Sequence, residues 1–573
     1  MYSRSGRKKE TTTPQHQHQQ LQLLYTLLFT LFMEAYHPGD LLSVIHSTMA
    51  MMLMCPALGM LYSGLTPHSS ALSMAGMNLA ALSMAVLQWV VWGYSLALSP
   101  TGGKFMGNLR HAGFHHVALE PHPIAFGRLP GLAVAMFEGM FLCITAVIMT
   151  GSIVGRGRVV PFVVFIFCWA TVVYCPIACW VWGPNGWSGN LGALDFAGGS
   201  PVHINSGFTG LAYGIMLRWS RGRKMGQTPV AVPEPHYPHS AMLVMIGTGL
   251  LWTGWLGFAS EGAFGANLMA LMASSNTMIG GAFGGLAWAV LDYRIERKLS
   301  MIGFCSGAVS GLVSLSPSSG YVAPWAAIVC AIVGSIACNL ATQLKFFIHV
   351  EDPLDVFAIH GIGGMVGSLL VGLFAEKEVA KLDGNRDIKG GWVNQHYAQL
   401  GYQCAEVFSV AGYAFFVSLV LLFIIDRIPG LHLRMDPEAE SQGPDTNQHG
   451  EVCYEFLAQL GDDPSPNHPD TDPSNTINGS SPRPSMDGNQ FGIYELHAIQ
   501  SKKVNDAYHF PMHPPMQVNF PPPVSQPQPP SQDATPPPHN EPPPTPMLDF
   551  SLGPQQPPRQ PLNRTVTSPL LGE

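Results

Sequence analysis

Charge is what this sequence has least of. Of 573 residues only 11% are Asp, Glu, Lys or Arg, against about 25% in an average soluble domain, so most of the chain cannot present an ordinary water-facing surface. No Cys-x-x-Cys pair occurs among the ten cysteines, which removes the usual spacing of a zinc ribbon or dithiol centre. Cys143, Cys168, Cys305 and Cys330 instead lie inside apolar runs, where a thiol packs as a small hydrophobe. There is no P-loop, no HExxH and no nucleophile–base constellation. An enzyme is therefore not expected, and neither is a cofactor, a resident metal or a nucleic-acid partner.

What the chain has in quantity is apolar sequence in runs of about 20 residues, the length of helix that crosses a ~30 Å hydrocarbon core. They fall at about 41–66, 71–99, 131–153, 159–182, 200–217, 240–260, 266–291, 299–315, 321–344, 354–375 and 404–426. The expected fold is an all-α polytopic membrane protein of eleven transmembrane helices. From 432 to 573 the chain turns polar and proline-rich, as in "HPPMQVNFPPPVSQPQPPSQ". Such a segment buries too little apolar surface to offset its ordering entropy. It reads as a largely disordered tail and a candidate binding region for regulators. Residues 1–38 form an N-terminal extension, and 39–431 form the membrane domain.

Alternate loops carry "GRGR" (155–158), "RWSRGRK" (218–224), "RIERK" (294–298) and "QLK" (343–345). Basic loops stay in the cytoplasm, and this set lies on the side of the C-terminal tail. With eleven spans the tail is then cytoplasmic and the N-terminus outside. Within 1–38, "LQLLYTLLFTLFMEA" has the length of a signal-peptide core, the alternative being an uncleaved extension. Runs such as "GIGGMVGSLLVG" and "GGAFGGLAWA" place small residues at four-residue spacing, which lets helix backbones approach closely in lipid.

Polar residues inside such spans are costly and functional by default. "LDFAGGSPVHINSG" enters the fifth span with His203, and "EDPLDVFAIHGIGG" enters the tenth with His360. Each histidine follows an aspartate by eight residues, Asp195 and Asp352. Each also sits at the entry of the fifth helix in a block of five. Two blocks of five have opposite orientation, so the pattern reads as a five-plus-five inverted repeat plus one helix, with its site between the halves. Facing imidazoles would pair by one N–H donor and one acceptor, both neutral when taken out of water. Two separate histidines bonded to nearby backbone, or a metal pair lacking a third ligand, are the other readings of the same pattern.

The stretches "IACWVWGPNGWSGNLGALDFAGGSPVHINSG" and "DPLDVFAIHGIGGMVGSLLVGLFA" resemble the two signature regions of the Amt/Mep/Rh ammonium transporter family. "QWVVWGYSLALSPTGGKFMGN", "FCWATVVYCPIACW" and "IPGLHLR" are similar to its fungal Mep-type branch. The resemblance covers about Gly39 to Tyr454. It implies a plasma-membrane homotrimer in the lipid bilayer, each subunit moving ammonium through a narrow hydrophobic pore with deprotonation at twin histidines. By motif, those histidines are His203 and His360, and Asp195 is the supporting aspartate. Phe141 and Phe258 match the two phenylalanines that close the pore, and Trp182 and Phe137 match the aromatic wall of an outer cation site.

The sequence departs from the family's pattern near that wall. "ASEG" follows Phe258, so the vestibule serine is Gly262, preceded by Glu261, and the glutamine before the first gate is Glu138. Either acid, if it faces the vestibule, would attract a cation by charge. Gly155 replaces the acid of an acid–arginine pair. The alternative function is a transceptor-like ammonium sensor with little transport of its own. The topology gives a direct prediction. Asn478 in "NGS" and Asn563 in "NRT" are glycosylation sequons by pattern, yet a cytoplasmic tail never meets the glycosylation machinery. Glycosidase treatment is expected to leave the mass of the tail unchanged; a shift mapped to either asparagine would overturn the orientation.

Overall fold

A computed structural model describes Gln22, 36–225 and 238–454 of the chain. The candidate signal segment, the tail beyond Tyr454 and both sequons lie outside the described residues. These fall within one compact unit, Met1–Tyr508. Among the described residues there is helix and no strand beyond two isolated bridges.

Every expected span is occupied by helix. In chain order these are α1 (Pro38–Leu65), α2 (His68–Leu98), α3 (Gly131–Ser152), α4 (Val159–Val181) and α5 (Gly199–Ile204 running into Asn205–Met225). They continue as α6 (Ala241–Ala263), α7 (Leu268–Glu296), α8 (Met301–Leu315), α9 (Pro324–Phe347), α10 (Phe357–Phe374) and α11 (Ala398–Arg427). Eight of them are long and apolar enough to cross a membrane by composition alone; α5, α7 and α8 are shorter or richer in small and polar residues.

Helix α1 lies along α6, the first helices of the two halves, and the fifth helices α5 and α10 meet each other. Glycine permits both approaches. A Cβ on Gly247 of α6 would meet the backbone of Ala57 and Leu61 in α1, and one on Gly207 of α5 would strike Gly361 of α10. Between α7 and α8 the glycine runs work the same way, with Gly284 set against Gly307 and Gly311.

One end of the bundle gathers the basic loops and residues 428–454. We call it the tail end, and the opposite end distal. Here Arg434 is almost fully buried, hydrogen-bonded through Nη1 to Glu351 (3.0 Å) and bidentate to Glu440 (2.5 and 3.0 Å). Burial works against its charge, but hydrogen bonding to Glu440 and the charge of Glu351 outweigh it and hold its pKa above the ordinary value. Arg156 shares Glu351 at 2.9 Å. The partner of this arginine thus comes from before α10, and Gly155 turns the chain in the left-handed conformation (φ +70°) beside it.

The same segment terminates two helices. Asp445 accepts the backbone N–H of Leu72 (3.0 Å) and Ser73 (2.7 Å), capping the start of α2. Gln448 accepts from the N–H of Val159 (2.8 Å) at the start of α4. Residues 432–454, the part of the tail within the described residues, are bonded into the bundle in this way. Asp445→Ala would leave one buried and one half-buried donor unpaired, at a cost of about 1–2 kcal/mol. Limited proteolysis is expected to cut 436–454 faster in that variant than in wild type; equal rates would show that the cap does not hold the segment.

Candidate functional site

The site begins with two aspartates. Asp195 accepts three backbone N–H groups, Gly198 (2.7 Å), Gly199 (2.8 Å) and Ser200 (2.6 Å), at the start of α5. Asp352 accepts two, Val356 (3.0 Å) and Phe357 (2.8 Å), at the start of α10. Both carboxylates are buried. Each satisfies helix-end donors that have no water to turn to and places negative charge at the positive end of the helix dipole. The first turn after each cap is π-helical, Gly199–Ile204 and Phe357–Ile362, and each of these turns holds one of the histidines. Such widened turns recur at functional positions because they redirect a side chain.

The imidazoles of His203 and His360 come face to face. Their Nδ1 atoms are 3.2 Å apart and their rings lie 5.3 Å apart at 29°. They can meet because Gly364 of α10 has no side chain where a Cβ would sit 3.0 Å from that of His203. Trp255 of α6 stacks on His203 (5.4 Å, 20°). The other nitrogen of His203, Nε2, lies 3.1 Å from the Ser316 hydroxyl, which also accepts from Trp255 Nε1 (3.1 Å) and can donate to Leu312 O (3.0 Å).

That arrangement leaves two proton patterns for a neutral pair. If Ser316 donates to Leu312, then His203 donates from Nε2, accepts at Nδ1, and His360 carries its proton on Nδ1. If Ser316 turns its proton to His203, the pair reverses and His203 donates from Nδ1. Interconverting them turns the hydroxyl and changes the tautomer of both rings: the shared proton passes from His360 Nδ1 to His203 Nδ1, His203 gives up its Nε2 proton and His360 takes one on Nε2.

Beyond the pair, aromatic rings close the way to the distal end. Phe258 lies 6.1 Å from His203 and 4.7 Å from Phe141, the last two tilted at 45° rather than parallel. Phe141 meets Trp182 (5.0 Å) and Phe137 (5.1 Å), both edge to face. Trp182 donates from Nε1 to Asp195 O (3.2 Å), which fixes its ring. All seven candidate residues thus belong to one continuous chain of contacts.

Sequence reasoning missed several polar groups here. Ser316 sits just past the end of α8, with no signal beyond being a serine after an apolar run. Glu406 is fully buried in α11 and accepts from Ser200 Oγ (2.7 Å) and Ser188 Oγ. Gln403 holds Leu194 by both N–H (2.7 Å) and C=O (2.8 Å). Residues 399, 403 and 406 share one helix face. That polar stripe in an otherwise apolar span was the available signal. For a metal, the histidines offer too little: among the described residues no group of three or more His, Cys, Asp or Glu comes together.

Both acids singled out near the distal end are buried. Glu261 is buried and accepts from Ser43 Oγ of α1 at 2.7 Å. Glu138 is buried on α3. At Gly262 a Cβ would lie 2.9 Å from the Phe196 ring, so that ring occupies the room a side chain would need.

Among the described residues, apolar helical spans packed around two buried, paired histidines define a polytopic membrane protein. Residues 42–454 match the model of the Ammonium Transporter Family. Ammonium transporter 2 of Schizosaccharomyces pombe is 42% identical over 430 residues, 74% of this chain and 82% of that protein. Ammonium transporter MEP2 of Saccharomyces cerevisiae is 40% identical over 408 residues, 70% and 81% of the two chains. The crystal structure of Candida albicans Mep2 superposes with a TM-score of 0.67 at 39% identity, covering 71% of this chain and 88% of that one. The chain belongs to the Ammonium Transporter Family.

The crowding at Gly262 makes a prediction. Gly262→Ser overpacks the contact with Phe196 and is expected to cost about 1–3 kcal/mol, seen as a lower unfolding midpoint in detergent. Shortening Phe196 to leucine in the same chain should recover part of the loss. A serine variant as stable as wild type would mean that Phe196 does not fill that space.

Proposed function

We propose that the protein moves ammonium across the plasma membrane through the passage lined by Phe137, Trp182, Phe141, Phe258, His203 and His360. The observation that carries this reading is the 3.2 Å contact between the two Nδ1 atoms, buried behind the phenylalanine pair. An aromatic face attracts a cation by roughly 0.5–2 kcal/mol, so Phe137 and Trp182 form the wall at which ammonium sheds water. Phe141 and Phe258 then exclude the water itself. A bare cation cannot cross the remaining apolar length cheaply. It hands a proton to an imidazole nitrogen, and the neutral molecule moves on past the pair. The imidazolium then gives that proton up, to the departing molecule or to water on the far side, and the hydroxyl of Ser316 can serve either neutral proton pattern once the pair is restored. Asp195 serves the passage as a positioning residue, through the start of α5 and the Trp182 ring.

In this reading the distal end faces outside and the tail end the cytoplasm, in keeping with the basic loops gathered there. Three subunits assemble as the family resemblance implies, each with its own passage. The exposed apolar face of α1, with Leu42, Ile45 and Met49, is available to lipid or to a neighbouring subunit. A sensor that binds ammonium and transports little is kept as the second reading by Gly262, which offers no hydroxyl where the family pattern has serine.

The test is ammonium-dependent growth and uptake in a transporter-deficient cell. Wild type is expected to restore both. His203→Ala and His360→Ala are expected to reach the membrane folded, with ammonium flux abolished or its ion selectivity changed. Unaltered flux and selectivity in both variants would return the histidines to packing, whereas a folded wild type without flux would favour the sensor.

A further inference from the structure

The loop between α10 and α11 sends a cation back over the distal mouth. Arg386 lies beyond a tight turn in which Asp383 accepts the backbone N–H of Asn385 (2.7 Å) and Arg386 (2.8 Å). The same carboxylate pairs with Arg386 Nη1 at 3.0 Å, and its side chain is wholly buried. Arg128, from the loop before α3, donates to Asp383 O (2.5 Å) and ties the turn down from the other side.

The guanidinium is held by more than its ion pair. Nη2 donates to Gly262 O at 2.6 Å. Its carbon lies 5.4 Å from the centre of the Phe196 ring and 5.5 Å from that of Phe126. Phe196 is the ring packed on Gly262, and Gly262 is four residues beyond the gate phenylalanine Phe258 on the same helix, a rise of about 6 Å. A permanently charged group therefore stands roughly one helical turn beyond the gate, between two aromatic rings of the kind that attract cations. Its edge still reaches solvent, with 14% of the side chain exposed.

We propose that Arg386 is a specificity-determining residue: a tethered cation that occupies the aromatic surface at the mouth and sets the electrostatic threshold an incoming cation must cross. The proposal rests on the transport reading above and goes beyond it. Asp383 sits on the loop side of the guanidinium and offsets its charge. Glu261 lies on the far side of Gly262, bonded to α1. Arg386 thus sets a cation at the mouth, with the buried Asp195 behind the Trp182 ring, and its field is felt through partly screened surroundings.

The test is the concentration dependence of methylammonium and ammonium uptake into proteoliposomes, at about 0.01 M and about 0.5 M salt. Arg386→Met is expected to lower the apparent KM about two- to fivefold at low salt, with the maximal rate unchanged and the difference shrinking at high salt. Arg386→Lys keeps the charge but loses the fork, and is expected to retain the wild-type KM. Were Arg386 only a strut for the loop, both variants would lose stability and maximal rate alike, with no salt-dependent change in KM. That outcome overturns the proposal. If Arg386→Met does not fold, Asp383→Asn decides, because it leaves the guanidinium less compensated and is expected to raise KM at low salt; an unchanged or lower KM overturns the proposal. Failure of wild type to transport at all would instead refute the transport reading.

Discussion

Everything at the centre of this molecule depends on ending two helices where there is no water. Asp195 and Asp352 each gather the free N–H groups of a helix start into one buried carboxylate. With those donors satisfied, α5 and α10 can begin inside the bundle, and the first turn of each carries a histidine to the contact between the halves. Glycine then decides how close that contact is. Gly207 against Gly361, and Gly364 beside His203, bring the backbones near enough for two short imidazoles to reach each other. Remove the caps and the helix starts lose their place; fill the glycines and the rings separate. The inverted repeat is therefore a physical device, presenting the same cap-and-histidine unit twice from opposite directions.

The two ends of the bundle handle charge in different ways. At the tail end, Glu351 receives both Arg156 and Arg434, while Asp445 and Gln448 reach across to cap α2 and α4. Those bonds tie the chain's last described segment to the loops that the sequence marks as basic. At the distal end, Arg128 and Arg386 hold the loop between α10 and α11 through Asp383, and the Phe196 ring packs on Gly262. Breaking a buried pair on one side only is costly, because it strands the other charge. Each end is thus committed to its partner set.

Much of this was legible in the sequence. Helical spans announce themselves by length and apolarity, and the matched spacing of Asp195 to His203 and Asp352 to His360 needs no structure to be seen. That spacing is readable because the capping carboxylate and the histidine eight residues on keep the same distance along the chain in both halves. Ser316, Glu406 and Arg386 were not legible, since their importance comes from neighbours distant in sequence. Ser316 matters only once α8 ends beside Trp255 and His203. Glu406 matters because α11, outside the repeat, happens to lie against the start of α5. Glu261 was open in the sequence. Its place beside the vestibule position in sequence allowed a role at the mouth or a place in the outer loop; in the 3-10 turn Glu261–Ala263 each residue rotates by about 120°, and one carboxylate oxygen accepts from Ser43 of α1. At Gly262 the sequence shows only that a hydroxyl is missing; that the Phe196 ring fills the room a side chain would need comes from the fold.

The central claim is that His203 and His360 act as one neutral, hydrogen-bonded unit that meets ammonium. Solid-state nitrogen NMR of the membrane-embedded protein, labelled with 15N at histidine, tests it most directly. The account predicts one protonated and one unprotonated Nδ1 coupled across a shared hydrogen bond at neutral pH, with both signals shifting when ammonium is added. Two uncoupled imidazoles, insensitive to ammonium, would contradict it.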